Sequence, residues 1–151
     1  MKTKLHMARP EDLQKLLAMV AAFHAESGVV QDDETRLAAV LPLLEGSPLG
    51  VVYILGPRNA PVGYVAISFG WSIGLGGIDG FIDEFWIRPA VRGKGMGGEA
   101  LSALIRALSD AGVRALHLEA DRASPVGRLY ERLGFERREN HCLMSADLTR
   151  H

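Results

Sequence analysis

The stretch FIDEFWIRPAVRGKGMGGEALSALIRAL, residues 81–108, runs from an alternating apolar segment through a Pro into a basic, Gly-laden loop and then a helical pattern. Residues 81–87 are rich in β-branched and aromatic side chains and read as a strand. From about 97 to 111 the apolar spacing is helical, and Gly112 is placed to close the helix as a left-handed C-cap. VRALHLEA follows as a second strand, so the whole segment reads as one βαβ unit.

Upstream, GVVYIL and PVGYVAISFGW read as two strands joined through a turn at 57–60, a connection short enough for antiparallel pairing. A Gly-rich loop is expected over 72–80. Before these lies PEDLQKLLAMVAAFHAE, whose Leu13, Leu16, Leu17, Val20 and Phe23 recur at amphipathic-helix spacing behind Pro10 and two acids. A second helix is expected from an Asp32 or Asp33 cap through Leu37, Val40, Leu41 and Leu44, kinked or shortened by Pro42. Downstream, Ser124 and Pro125 suit the N-cap and first residue of a helix ending at Gly134, and FERREN with HCLMSADL read as a closing pair of strands. The expected fold class is therefore α/β: a mixed, mostly antiparallel central sheet with helices on both faces and one βαβ unit.

Composition sets bounds on function. With 151 residues, 48% of them apolar, residues 1–151 suit a single domain, and no repeat or linker divides them. The 17 Lys and Arg against 18 acids leave a net charge of −1, which excludes a surface built throughout for nucleic acid or membrane. Any basic site must be local. One cysteine, Cys142, allows no internal disulfide, and a reducing cytoplasm is the simplest location. The first residues lack an apolar signal core, and no run approaches the ~20 residues that span a bilayer.

Within the loop, Gly93, Gly95, Gly97 and Gly98 bare the backbone N–H groups at a helix start, with Arg92 and Lys94 adjacent. Bare amides, the positive end of the helix and two cations make a cradle for phosphate. The spacing formally satisfies the dinucleotide fingerprint G-x-G-x-x-G, with Glu119 about 20 residues on. That fingerprint wants its first Gly at the strand end, however, and RPAVR intervenes. A Walker A loop fails because no Gly-Lys-Ser/Thr follows.

DEFWIRPAVRGKGMGGEAL resembles the acetyl-CoA-binding segment of the GNAT superfamily of N-acetyltransferases, whose Arg/Gln-x-x-Gly-x-Gly/Ala is met by Arg92, Gly95 and Gly97. SPVGRLYERLGFE resembles that family's downstream helix through Leu129, Tyr130, Leu133, Gly134 and Phe135. The resemblance implies acetyl-CoA as acetyl donor and an N-acetyltransferase, with no metal. The pyrophosphate would lie on Arg92, Gly93, Lys94, Gly95, Met96, Gly97 and Gly98, and the pantetheine arm beside Phe85, Trp86 and Ile87. The N–H of Ile87 would face the thioester oxygen and stabilise an oxyanion. Tyr130 would protonate the leaving thiolate, and an ordinary buried aromatic is the alternative reading of the same residue. Where the family often has an Asn, Ala123 or Ser124 stands; Ser124 either touches coenzyme A or caps the helix.

An amine with a pKa near ~10.4 is neutral in only about one molecule per thousand at pH 7, so a base is needed. Asp83 and Glu84 are neighbours in a strand and are expected on opposite faces, which leaves one of them for a cleft. Glu84 is favoured and Glu119 is the rival, with water chains a third route. Asp79, Asp83 and Glu84 suit a cationic acceptor, with Phe23, His24 and Trp71 as further acceptor-site candidates. His24 reads more readily as a partly exposed helix residue than as an acceptor-site group. Cys142 reads as a small buried residue, and Met19, Met96 and Met144 as packing. The acceptor is then a small-molecule amine or a protein or peptide amine. The alternatives are a noncatalytic acyl-CoA sensor of the same fold and a dinucleotide-binding protein. Homodimers are common in the family, but no interface is legible.

Overall fold

Five strands form one sheet in the computed structural model, which describes residues 4–124 and 126–149. They are β1 (Leu5–Met7), β2 (Gly50–Leu55), β3 (Gly63–Ser72), β4 (Gly77–Ile87) and β5 (Ala115–His117), lying side by side in chain order. The pairs from β1 to β4 are antiparallel and β5 joins β4 in parallel, giving the expected mixed, mostly antiparallel sheet. Helices α1 (Leu13–Ser27), α2 (Asp33–Leu44), α3 (Met96–Asp110) and α4 (Val126–Arg132) complete the architecture. The chain divides into two compact units, Met1–Glu119 and Ala120–His151, each described by itself.

In the first unit the alternation of strand side chains sorts the core into two layers. Tyr64, Ala66 and Trp86 pack with Leu16, Met19 and Val20 of α1 and with Val40 and Leu44 of α2. The intervening residues point the other way, where Gly97 at the start of α3 lies so close to Ile87 and Phe85 that a Cβ would sit 3.2 and 3.5 Å from their side chains. Leu101 and Leu104 form the buried stripe of α3. The sheet therefore carries helices on both faces. Asp32 caps α2 by accepting from the Thr35 N–H at 2.7 Å, and the helix continues two residues beyond Pro42 before it stops. Gly112 follows α3 at φ +90°, the left-handed turn expected of it.

Several expectations are corrected. The stripe of α2 is rotated by one residue: Arg36, Val40 and Leu44 are buried, and Leu37 is exposed. Arg36 takes the inward place because its guanidinium finds polar partners there, as described below. The expected loop over 72–80 is instead the end of β3, a turn at 73–76 and the start of β4, since cross-strand pairing continues to Ser72 and Gly77. β1 was not anticipated. The strand VRALHLEA is reduced to Ala115–His117, which leaves Glu119 beyond its end.

In the second unit, α4 ends in a left-handed turn at Gly134. There the N–H of Gly134 bonds to the carbonyl of Glu131, and that of Phe135 to the carbonyl of Tyr130. Pro125, expected as the first helical residue, lies outside the described residues. No strand follows among residues 135–149: within this unit no described strand offers an edge, and β-propensity alone does not hold a strand. Cys142 and Met144 are accordingly exposed rather than buried.

The β3–β4 pairing makes one glycine indispensable. A Cβ at Gly63 would collide with the backbone carbonyl of Trp86, whereas at Gly70 it would meet only the movable Asp79 carboxylate, at 3.1 Å. Gly63→Ala should therefore lose about 1–3 kcal/mol or more through overpacking, while Gly70→Ala stays near neutral. Urea unfolding of both variants checks this, and equal midpoints would contradict it.

Candidate functional site

Across the β3–β4 ladder, Ala66 pairs with Glu84 but the next residue, Ile67, pairs with Ile82. Asp83 is the extra residue of a β-bulge. The bulge resets the alternation, so Asp83 and Glu84 face the same side of the sheet, toward α1 and α2. This corrects the expectation that neighbouring strand residues would diverge. Both carboxylates line a cavity of about 200 Å³ between the sheet and the two helices, with Leu16, Val20, Val40 and Val52 among its walls. Its partly exposed margin is formed by Val29, Gln31 and Ala39.

Glu84 is held through both of its carboxylate oxygens. Its Oε1 accepts from the Tyr64 hydroxyl at 2.7 Å, and its Oε2 lies 2.7 Å from Nε2 of His24. The Nδ1 of His24 faces the Nε–H of Arg36 at 3.4 Å. A guanidinium always donates, so Nδ1 must accept and the ring proton sits on Nε2, directed at Glu84. Arg36 is in turn held by Asp33 Oδ1 at 3.0 Å and the Gln31 carbonyl at 2.9 Å. His24 is thus a buried member of a polar chain, not a partly exposed helix residue. Burial first, and the Glu84 carboxylate next, hold the Tyr64 phenol far above its usual range, so it remains a donor. Asp83 also titrates above the ordinary carboxylate range, through desolvation and then the charge of Glu84.

The other edge of β4 is open. β5 pairs with β4 only along residues 79–81, so beyond Phe81 the strand has β3 on one side and no described strand on the other. The Arg88 N–H bonds to the Val62 carbonyl, which fixes the alternation: Trp86 pairs with β3, while the N–H groups of Phe85 and Ile87 point to the open edge. An amide chain could add there as a further strand. Trp86 has its backbone committed to β3 and its side chain in the core, with Nε1 bonded to Glu26 at 3.1 Å. Past the strand come a short helical turn, Pro89–Val91, and then the glycine loop, in which Gly93 and Gly95 have φ of +78° and +79°. These left-handed residues turn the chain into α3, whose first N–H groups have no partner within the helix and are of the kind that receive anions. The strand does not run directly into the first Gly, which disfavours the dinucleotide alternative. Lys94 is exposed beside the loop. Arg92 is not free: its Nε bonds to the Ile87 carbonyl at 2.7 Å, and its Nη2 grips Glu26 at 2.8 and 2.9 Å.

The remaining sequence candidates are scattered. Phe23 is partly buried against the core and meets Tyr64 edge-on at 6.4 Å. Trp71 is largely exposed near the end of β3, and Asp79 is 3.2 Å from His117 across β4 and β5; neither lines the cavity. Glu119 is exposed beyond β5. Met96 begins α3 and is partly buried. Ser124 and Tyr130 belong to the second unit, where Ser124 closes a turn on the Asp121 carbonyl and Tyr130 stacks edge-on against Phe135 at 5.8 Å. Burial raises the Tyr130 phenol, keeping it protonated. Sequence reasoning missed Tyr64, Arg36 and Glu26. One signal for the bulge was available: two adjacent acids in an otherwise apolar strand satisfy one polar face only if the alternation slips.

The model of the acetyltransferase (GNAT) family matches residues 14–135. The chain belongs to that family. A GNAT protein uses acetyl-CoA, and the open strand edge and the glycine loop leading into α3 fit that donor. Among solved structures, an integron cassette protein from the mobile metagenome of Cole Harbour Salt Marsh is similar at 31% identity, over 95% of this chain and 90% of that one, with a TM-score of 0.83. Two further GNAT-like structures share the fold. A ribosomal-protein-alanine N-acetyltransferase from Brucella melitensis biovar Abortus 2308 is 16% identical over 97% and 100% of the chains, with a TM-score of 0.74. An aminoglycoside acetyltransferase from an uncultured soil metagenomic sample is 19% identical over 97% and 100%, with a TM-score of 0.75. No curated protein sequence matches the chain. Among the described residues, no helix of this GNAT protein is long and apolar enough to cross a membrane.

The elevated Asp83 carboxyl has a consequence for stability. The folded state holds that proton more tightly than the unfolded chain, so folding is penalised as pH rises through the folded-state value, and the penalty vanishes below about pH 4. Asp83→Asn should raise Tm at pH 7 and lose that advantage near pH 3.5. Thermal melts at the two pH values test the sign. A variant less stable than the parent at pH 7 would overturn it.

Proposed function

We propose that this GNAT protein transfers the acetyl group of acetyl-CoA directly to a primary amine held in the cavity, with Glu84 as the base. The observation that carries this reading is the position of Glu84: it faces the cavity three residues before Ile87, whose N–H lies on the open edge of the same strand. An acceptor on the face and a donor along the edge would meet at this part of β4. Acetyl-CoA supplies an activated thioester, so that a C–N bond forms as the C–S bond breaks. The ammonium gives up two protons in all: one returns to the departing thiolate, and the other reaches solvent through Glu84.

In this reading the chain's own groups divide the work. Tyr64 and His24 each hold one oxygen of Glu84, leaving lone pairs on both for the amine proton. Phe85 and Ile87 offer backbone N–H groups to the donor's amides and thioester oxygen. The loop from Gly93 to Gly98, Lys94 and the start of α3 receive the phosphates, while Arg92, pinned to Glu26, sets the angle of the loop. Tyr130 is assigned the thiolate's proton on the family resemblance of LYERLGF and on its protonated phenol. Ser124 is assigned the place of the family's Asn.

Glu84→Gln should lower kcat by about 10²–10⁴-fold, and Tyr130→Phe by a similar order if thiolate departure limits the rate. Both should keep their acetyl-CoA affinity. Gly95→Val, which forces a β-branched residue into a left-handed backbone, should instead weaken acetyl-CoA binding in a folded protein. Thiol release measured beside direct coenzyme binding separates these outcomes. A Glu84→Gln enzyme within twofold of the parent would remove Glu84 as base. Acetyl-CoA binding without transfer to any amine would favour the acyl-CoA sensor instead.

A further inference from the structure

We infer that the acceptor is a small primary monoamine with a compact apolar body, about the size of one ring with a short link, and without a carboxylate. This rests on the reading of the cavity as the acceptor site, and it names the substrate class of that site.

The size of the cavity is the first constraint. It measures about 200 Å³, below the ~300–1,000 Å³ of pockets that hold drug-sized ligands, whereas an apolar cavity of roughly 150 Å³ accepts a benzene ring. Such a volume encloses about one ring, and a multi-ring polyol would have to leave most of its body outside the margin at Val29, Gln31 and Ala39. The second constraint is the wall. Val20 of α1, Val40 and Leu43 of α2 and Val52 of β2 present hydrocarbon to the interior. A second ammonium or a set of hydroxyls placed against them would lose water without gaining partners. Long polyamines and aminosugars are therefore disfavoured for the same reason.

Charge is the third constraint, and it acts from one side only. Asp83 and Glu84 supply the cavity with carboxylates, which draw in an ammonium. Among the described residues, no Arg or Lys lines it. The nearest guanidinium in the network, that of Arg36, is spent on His24, Asp33 and the Gln31 carbonyl. An amino acid would have to bring its carboxylate toward two anions with nothing to receive it, and such like-charge contacts are costly. The remaining polar lining groups, His24 and Tyr64, already bond to Glu84, and Gln31 lies at the margin. One ammonium, one apolar body and no anion are what the wall can satisfy.

The test uses the full chain with acetyl-CoA and follows thiol release with 2-phenylethylamine, 3-methylbutylamine, phenylalanine, spermidine, kanamycin and a short peptide with a free N-terminus. The two apolar monoamines should exceed phenylalanine in kcat/KM by roughly tenfold or more, since phenylalanine adds only the carboxylate. They should also exceed spermidine, kanamycin and the peptide. Ala39→Phe, on the exposed margin, should raise KM for 2-phenylethylamine while leaving acetyl-CoA affinity unchanged. Preference for phenylalanine, spermidine, kanamycin or the peptide overturns the inference and leaves acetyl transfer standing. An unchanged KM in a folded Ala39→Phe variant also overturns it, by removing the cavity as the acceptor site. Acetyl-CoA binding with no thiol release for any amine overturns the transfer reading itself.

Discussion

One extra residue in β4 governs the geometry of this protein. Without the bulge at Asp83, the alternation of the strand would send one of the two adjacent carboxylates toward α3, into apolar packing around Phe85 and Ile87. With it, both acids face α1 and α2, and the residues that follow resume the pleat with Phe85 and Ile87 against α3. The arrangement is costly in isolation, since two anions sit side by side at a partly dry wall. His24 and Tyr64 offset part of that cost by bonding to Glu84. Asp83 carries the remainder as a raised proton affinity, the kind of local tension that functional sites retain.

The same strand has two further constraints, and each ends at the site. On one side Gly63 lets β3 approach the backbone of Trp86 so closely that no side chain fits between. This fixes which amides of β4 are used up. On the other side β5 leaves after Phe81, so the N–H groups of Phe85 and Ile87 have no neighbouring described strand. Gly97 allows α3 to start directly over those residues, which brings the positive end of a 15-residue helix beside the open edge. A face that presents carboxylates and an edge that presents amides are thus properties of one segment of backbone.

Much of this was legible in the sequence, and the failures have physical causes. Strand and helix periods, the glycine loop and the second motif around Tyr130 are local signals, and they pointed to the βαβ unit and the family. The bulge is not local: it exists only in the pairing with β3, so a strict period of two assigned Asp83 and Glu84 to opposite faces. Arg36 lay hidden beside Leu37 because hydropathy cannot anticipate that a buried guanidinium will find His24, Asp33 and a carbonyl. Tyr64 read as a strand aromatic, since nothing in its neighbourhood announces an acid twenty residues later. The closing strands failed for the opposite reason, a favourable composition with no edge to pair with in its own unit. The hairpin over 72–80 was misread as a loop because four glycines look like irregular chain, yet cross-strand bonds do not require side chains.

The division of labour also explains why a shared fold says so little about the acceptor. In the proposed reading the donor-facing groups in β4 and α3 are mostly backbone, set by glycines and by strand parity, and backbone geometry survives wide changes of sequence. Structures 16% and 19% identical to this chain keep the fold while their acceptors are a ribosomal protein and an aminoglycoside. The cavity here is walled by side chains of α1, α2 and β2, where replacing a Val or an Ala alters volume and polarity without moving the sheet. If the cavity holds the amine as proposed, selectivity would change through side chains that the transfer chemistry does not use, while Glu84 stays fixed by a bulge, a histidine and a tyrosine. Because Arg36 holds that histidine from within α2, the helix that walls the cavity is also tied to Glu84, the base of the proposed reaction. A substitution that shifts α2 to admit a larger amine would disturb the orientation of Glu84 as well, which limits how far this wall can be remodelled before transfer itself suffers.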